Sequence, residues 1–320
     1  MREPGTVLVT GAAGFFGLAI TRALTVSGAA VIATDRCSAD EFSPRSGSRL
    51  DRIDFIARDL SCEPINDLVA RASAVVHAAA LSPGAEHGEI LDQLLSVNFS
   101  PLPGVLEGVR VSERCSRFVF VSSAGVYDQS VTAVLSEDTA DGGRSLYGAA
   151  KLAAELVVTR YATISGFEFC CLRPTSLFGP GEIPRPSRPN VTVFRQLVEA
   201  AATNHAVRLD NPDTRADWLH VDDAANAVVA LLNAPALPAC PLNVSSGRLT
   251  ALGAIADELQ ATVGLRVAPD AGTVVSGGGD RPAQITNDRL RAAVSWSPQL
   301  GFGDAAKTML APGPSGTGHQ

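Results

Sequence analysis

The sequence predicts an α/β fold, a doubly wound parallel sheet followed by a smaller C-terminal region. Three observations carry this reading. Short β-branched runs alternate with longer helical patterns through the first half, a glycine-rich turn joins the first run to the first helix, and the texture loosens after Arg173. Alternation of this kind favours right-handed βαβ units and a sheet covered on both faces. At 320 residues, 46% hydrophobic and 18% charged, the chain is long enough for one large domain or one domain with an appendage.

The strands are expected at Thr6–Thr10, Ala30–Asp35, Asp54–Ala57, Ala74–Ala78, Arg117–Val121 and Glu168–Arg173. Helices are expected at Phe15–Ser27, Pro64–Arg71, Ile90–Val111 and Leu146–Ser165. Residues Phe178–Thr192 carry Pro180, Pro184, Pro186 and Pro189, too many for a helix or strand interior, so the stretch reads as a loop. Its length makes it a candidate lid. Gly277–Gly279 reads as a second flexible stretch and Ala311–Gln320 as a disordered tail.

Charge and hydropathy exclude several function classes. The chain has 26 Lys+Arg against 33 Asp+Glu, a formal charge of −7. It therefore lacks the basic excess that nucleic acids or anionic membranes require. No apolar run approaches the ~18 residues of a membrane span, and glycine interrupts Thr6–Thr10 too early for a signal peptide. Cys37, Cys62, Cys115, Cys170, Cys171 and Cys240 show no ligand spacing and read as reduced thiols, which points to the cytoplasm.

The first strand runs directly into GAAGFFG, with Gly11, Gly14 and Gly17, and then into a helix. One glycine permits a tight turn, one lets backbone approach a pyrophosphate, and one lets helix and strand pack closely. The phosphates would then sit on the helix N-terminus. Asp35 ends the second strand 24 positions beyond Gly11. A carboxylate there binds both ribose hydroxyls and repels a 2′-phosphate, favouring NAD over NADP, although Arg36 beside it pulls the other way.

Tyr147 and Lys151 are four residues apart at a helix start and so share a face. A phenol, with a reference pKa of ~10, becomes a useful proton carrier beside an ammonium. Ser122 and Ser123 end the strand Arg117–Val121, where the carboxyl ends of the strands open onto the ligand crevice. His77 lies in an apolar strand and reads as a core histidine. His220 with Asp222 and Asp223 could suggest a metal, but no further ligand of sensible spacing appears, and the aspartates read as caps of the following helix.

In this order, these motifs resemble an extended short-chain dehydrogenase/reductase, and more narrowly the NAD-dependent epimerase/dehydratase family, of the 4-epimerase-like kind. The resemblance continues through Arg58-Asp59-Leu60, HAAA (77–80), Val97-Asn98, VSSAGVY (121–127) and YGAAK (147–151). LRPTSLFGPG (172–181), DWLHVDD (217–223), LNVSSG (242–247), Arg281 and Trp296-Ser-Pro298 complete it. It implies a Rossmann-type domain over residues 1–173 and a mainly substrate-binding region over 174–310, with 214–246 returning to the first domain. It further implies NAD as cofactor, a small sugar-type substrate, and a homodimer formed through the helices around Ile90–Val111 and Leu146–Ser165.

By the same resemblance Ser123, rather than Ser122, orients the reacting hydroxyl, Tyr147 exchanges its proton, and Lys151 serves Tyr147 and the nicotinamide ribose. The implied cofactor contacts are Gly11, Gly14, Phe15, Phe16, Gly17, Asp35, Arg36, Asp59, Leu60, Ala78, Ala79, Ala80, Asn98, Val121, Ser122, Tyr147, Lys151 and Pro174. The implied substrate contacts are Ser82, Ser123, Ala124, Ser176, Arg215 and Arg281.

Ala124 and Gly125 occupy the places where dehydratases carry an acidic residue, and the cysteine of 3,5-epimerising reductases is absent. That leaves 4-epimerisation, or one-way oxidation and reduction. Ser176 stands where nucleotide-sugar members usually have Asn, and Ala216 where they have Arg, with Arg215 one place early. These departures favour a smaller, non-nucleotide substrate, whereas Arg281 favours a diphosphate. A third reading, an NAD-sensing binding protein, is opposed by the presence of both Tyr147 and Lys151.

Overall fold

In the computed structural model, residues 5–46, 52–81, 91–184 and 191–311 are described. The first half runs β1 (Thr6–Thr10), α1 (Phe15–Val26), β2 (Ala30–Asp35), α2 (Ala39–Ser46), β3 (Ile53–Ala57), α3 (Asn66–Val69) and β4 (Ala74–His77). It continues with α4 (Leu91–Asn98), α5 (Leu102–Val111), β5 (Arg117–Val121), β6 (Val134–Leu135), α6 (Leu146–Ser165) and β7 (Glu168–Pro174). Then follow β8 (Ser176–Phe178), α7 (Val193–Ala202), β9 (Ala206–Leu209), β10 (Arg215–His220), α8 (Val221–Asn233) and β11 (Pro241–Val244). The chain closes with β12 (Leu249–Ala251), α9 (Leu252–Val263), β13 (Arg266–Val267), β14 (Thr273–Val275), β15 (Gln284–Ile285), α10 (Asp288–Ala293) and α11 (Phe302–Leu310).

Seven of these strands form one sheet in the order β11-β7-β5-β4-β1-β2-β3, and every pairing in it is parallel. The order reverses direction between β1 and β4, which opens a crevice at the carboxyl ends of those strands. Alternate residues of each strand feed opposite cores, as a sheet buried on both faces requires. Val7, Val9, Val119 and Val121 pack with Leu18 and Ile20 of α1 and Val228 and Leu231 of α8. Leu8, Phe118 and Phe120 pack with Leu68 of α3, Leu106 of α5 and Val158 of α6. Strand β11 thus joins the first-half sheet, and α8 packs against α1.

The structure corrects two helices. The apolar pattern across Ile90–Val111 is two helices, α4 and α5, with the break ending at Pro101. Proline lacks the N–H and its ring collides with the preceding turn, so it can start α5 but cannot continue α4. The helix expected over Pro64–Arg71 is only the four residues of α3. Of the candidate lid, residues 185–190 lie outside the described residues, as do Ser82 and residues 312–320.

The later elements build a third core around Phe178, Phe194, Trp218, Leu259 and Phe302. A small fourth cluster joins the two parts of the chain: Ala124, Val126 and Tyr127 pack with Leu135, Ala283 and Ile285.

A buried ionic network runs through this junction. The Arg173 guanidinium meets the Glu155 carboxylate with both side chains about 97% buried, each at 3% exposure. It also donates to the Tyr127 hydroxyl at 2.7 Å and the Glu137 carbonyl at 2.8 Å. Tyr127 donates onward to Asn243 Oδ1 at 2.6 Å. Removing one partner strands a buried charge, so Glu155→Ala is expected to cost about 3–5 kcal/mol of stability. Urea unfolding of the two proteins measures this, and a loss below 1 kcal/mol would contradict the network's burial.

Candidate active site

The glycine turn after β1 is shaped by contacts that exclude a side chain. Gly11 has φ +66°, and a Cβ there would lie 2.6 Å from the Ala79 backbone. A Cβ on Gly17 would lie 2.0 Å from the Gly11 carbonyl oxygen, so neither position tolerates another residue without movement. Gly14 is the N-cap of α1, whose first turn has no side-chain cap and no acidic residue. The helix therefore presents backbone N–H groups from Phe15, Phe16 and Gly17 to an anion.

Asp35 closes the same pocket. Its Oδ2 accepts the Ala13 N–H at 3.0 Å and its Oδ1 accepts the Arg36 N–H at 2.8 Å, which sets the carboxylate against the glycine turn. Arg36 itself is exposed. Asp59 accepts two hydrogen bonds from Ser61, which hold it below the usual carboxylate range; Leu60 beside it is half-buried. Ala78 and Ala79 are half-buried and Ala80 exposed just beyond β4. The amide of Asn98 spends both ends on Leu81, accepting its N–H at 2.8 Å and donating to its carbonyl at 2.9 Å, so it fixes the chain after β4. Pro174 is buried at the end of β7.

Ser123, Tyr147 and Lys151 come together. Ser123 caps a 3₁₀ turn over residues 124–126, and its Oγ accepts the Gly125 N–H at 3.0 Å. Tyr147 stands in the first turn of α6, which Ser145 caps by accepting the Gly148 N–H at 3.0 Å. A Cβ on Gly125 would lie 3.2 Å from Ser123 Oγ and 3.5 Å from Tyr147 Cδ1, so the two side chains flank this glycine. The Gly125 carbonyl is itself enclosed: a Cβ on Gly148 would reach it at 2.1 Å and one on Gly143 at 2.2 Å. Sequence reasoning read Gly125 only as a missing acid and overlooked this three-glycine junction.

Lys151 is 1% exposed. Its Nζ donates to the Val121 carbonyl at 2.9 Å and lies 5.9 Å from the Tyr147 ring centroid. Burial pushes its pKa down to about 8, with Glu155 one turn along working in the opposite direction. His77 Nδ1 pairs with Thr10 Oγ1 at 2.8 Å. Burial, aided by the Lys151 charge, pushes its pKa down to about 3, so this ring stays neutral at physiological pH. Among the described residues, His77 Nε2 and the buried Ser122 Oγ have no hydrogen-bond partner.

The C-terminal region holds the residues expected to meet substrate. Ser176 is half-buried and pairs in register with Trp218 of β10. Arg215 is exposed, whereas Ala216 is buried in the third core, so the residue one place early is the one that faces outward. The Arg281 N–H donates to the Arg215 carbonyl at 2.8 Å, which joins the backbones of the two segments. Asp217, the first residue of DWLHVDD and given no role from the sequence, is buried and accepts from Thr175 Oγ1, Ser246 N–H and Gly247 N–H, all at 2.9 Å. It ties three segments together. His220, rather than the aspartates after it, caps α8 by accepting the Asp222 N–H at 3.1 Å.

A doubly wound sheet with this turn and a Ser–Tyr–Lys set at the carboxyl end of β5 defines a dinucleotide-dependent enzyme of the short-chain dehydrogenase/reductase class. More narrowly, the chain belongs to the NAD dependent epimerase/dehydratase family, whose sequence model matches residues 7–244. It is 27% identical over 312 residues to the UDP-glucose 4-epimerase of Mycolicibacterium smegmatis, covering 94% of this chain and 96% of that one. Over 241 residues it is 28% identical to the D-erythronate dehydrogenase of Cupriavidus necator, 71% of each chain. In fold it is similar to the UDP-glucuronic acid 4-epimerase from Bacillus cereus in complex with NAD, with a TM-score of 0.79, 21% identity and 95% of each chain covered. The excluded Cβ positions at Gly11 and Gly17 and the carboxylate of Asp35 fit the family's NAD.

In a dinucleotide site of this kind the Asp35 carboxylate would oppose the 2′-phosphate of NADP, so NAD is expected to bind more tightly than NADP. Direct titration of both measures the preference. Equal or tighter NADP binding would assign the pocket to Arg36.

Proposed function

We propose that this enzyme exchanges hydride and proton at one secondary hydroxyl or keto carbon of a sugar-type substrate, in the 4-epimerase-like manner of oxidation followed by re-reduction. The observation that carries this is the flanking of Gly125 by Ser123 and Tyr147 above the buried Lys151. When bound, NAD supplies the hydride acceptor and donor. Gly11, Gly14, Phe15, Phe16 and Gly17 would hold its pyrophosphate, Asp35 its adenosine ribose, and Lys151 with Tyr147 its nicotinamide ribose.

Ser123 Oγ already accepts the Gly125 N–H, which leaves its own proton to donate to the substrate oxygen. Tyr147 takes the hydroxyl proton as the alcohol is oxidised and returns it as the ketone is reduced. The Lys151 ammonium favours the phenolate in that exchange. Ala124 and Gly125 offer no side chain for a separate elimination, which supports simple hydride and proton exchange over dehydration.

A second reading, one-way oxidation or reduction of a small non-nucleotide hydroxylated substrate, is favoured by Ser176 and by the pairing of Arg215 with Asp280. We further propose a cytoplasmic homodimer. Leu91 and Leu95 of α4, with Leu156, Val157 and Ile164 of α6, are exposed apolar residues on the two helices that would meet. Among the described residues, no helix is long and apolar enough to cross a membrane.

Tyr147→Phe removes only the proton carrier and is expected to lower turnover by about 10²–10⁴-fold with NAD binding nearly intact. Lys151→Met is expected to impair both. Steady-state rates and NAD titration separate the two, and near-normal turnover of Tyr147→Phe would refute the assignment. The two readings of the reaction divide on the cofactor and the substrate. An epimerase keeps its cofactor through the cycle, so protein purified without added NAD should still carry it and should bind UDP, dTDP or GDP in calorimetric titration. Empty protein that binds none of the three would establish the dehydrogenase reading.

A further inference from the structure

We propose that His77 is a positioning residue for Lys151: its neutral ring carries its proton on Nδ1 and turns the lone pair of Nε2 to the side where the ammonium stands. This deepens the reading of Lys151 as the charge that serves Tyr147, and rests on that reading only for its consequence in the reaction.

His77 ends β4, in register with Thr10 of β1 on one side and Phe120 of β5 on the other. Its ring is 1% exposed, and its Nδ1 pairs with Thr10 Oγ1 at 2.8 Å. The two nitrogens of an imidazole face opposite ways about Cε1, so Nε2 points away from β1. On that other side stands β5, with α6 packed on it. The ring is nearly parallel to that of Phe120, at 19° with centroids 6.1 Å apart, and Lys151 Nζ lies 4.9 Å from the same Phe120 centroid. Ring and ammonium share one apolar neighbour at the carboxyl end of β5.

A buried nitrogen without a partner is costly, and among the described residues Nε2 has none. The tautomer decides whether Lys151 adds to that cost. With the proton on Nε2, the positive edge of the ring would face a buried cation. With it on Nδ1, Thr10 Oγ1 accepts that N–H as well as the Ala79 N–H, which reaches it at 3.3 Å, and the negative edge faces the cation. The ring stays neutral because burial and the Lys151 charge both push its pKa down, to about 3.

A negative edge toward an ammonium favours the charged form. Burial already pushes Lys151 down to about 8, so losing that edge lowers it further and removes the charge that favours the Tyr147 phenolate at a lower pH. The other titratable groups around Lys151 are accounted for among the described residues. Tyr147 and Glu155 share its helix, and the buried Cys171 thiol of β7 is pushed well up and carries no charge. Arg173 is occupied by Glu155, and Tyr127 donates to Asn243. Glu107 and Arg110 of α5 pair with each other and with Tyr161 at the far end of α6, and Asp92 of α4 is exposed.

The chain has two lysines, Lys151 and the exposed Lys307, so the Lys151 ¹³Cε signal can be titrated directly by NMR in the full-length protein. Wild type, His77→Leu and His77→Gln are compared, with thermal melting and NAD affinity to establish that each is folded. Leucine removes the lone pair, and glutamine keeps an oxygen at the place of Nε2. The Lys151 midpoint is expected to fall by about half a pH unit in His77→Leu, about three-fold in its proton affinity, and to return in His77→Gln. In ¹⁵N spectra of the wild type, His77 should show a protonated Nδ1 and an unprotonated Nε2, its signals being those of the five histidines that both variants lose.

A structural role alone would lower the melting temperature and leave the Lys151 midpoint unmoved. Equal midpoints in wild type and His77→Leu would overturn the role of His77 and leave the reading of Lys151 standing. A proton on Nε2 would overturn it too, and that is read on the wild type even where a variant unfolds. Tyr147, one of three tyrosines, is titrated in the same samples by ¹³Cζ labelling. A Lys151 midpoint that falls while Tyr147 stays unmoved would support His77 and count against Lys151 as the group that serves Tyr147.

Discussion

A buried ammonium is costly unless its surroundings answer it, and Lys151 imposes that demand on everything near the site. Its Nζ uses the last carbonyl of β5, at 2.9 Å, which ties the helix α6 to the end of the central sheet. Glu155, one turn along, supplies the opposing charge. That carboxylate is in turn balanced by Arg173 of β7, which reaches Tyr127 and the Glu137 carbonyl. Through Tyr127 the chain of bonds arrives at Asn243 on β11. One charge near Tyr147 thus connects three strands of the sheet, the turn after Ser123 and the returning C-terminal segment.

Steric exclusion does the complementary work of position. Gly143 and Gly148 both close on the carbonyl of Gly125, which leaves the 3₁₀ turn and the first turn of α6 one arrangement. Ser123 belongs to the turn and Tyr147 to the helix, so their relation is set by backbone contact and owes little to side-chain packing. The same device operates at the cofactor turn, where Gly17 closes on the carbonyl of Gly11. In both places the absence of a Cβ fixes the distance between a strand end and a helix start.

The parts legible in the sequence are those whose physics is local. β1, β2 and β5 have the bounds their β-branched runs predict, and the glycine turn is readable because residue type alone excludes other conformations. The split of α4 from α5 was hidden because apolar residues continue at helical spacing across it, from Leu94 to Leu102 and Val105, while Pro101 ends the hydrogen bonding. Glu155 and Arg173 meet across 18 residues, and Asp280 meets Arg215 across 65. No periodicity or motif encodes such pairs. Gly125 was visible as a residue but not as a contact, because its meaning depends on what lies beyond its missing side chain.

The division of labour between the two parts of the chain follows from where their constraints lie. Ser123, Tyr147 and Lys151 are locked by backbone contacts and buried charges, which leave little freedom for change. The start of β10 and the segment beside it carry exposed side chains on a backbone that Asp217 ties to its neighbours. Substitutions there alter charge without disturbing a core, as the outward Arg215 beside the inward Ala216 illustrates. A fixed centre is thus joined to a rim that tolerates change. Asp217 is the point at which the two meet. Its buried carboxylate bonds Thr175, which follows β7, as well as Ser246 and Gly247, which follow β11, so the rim takes its register from the ends of the central sheet.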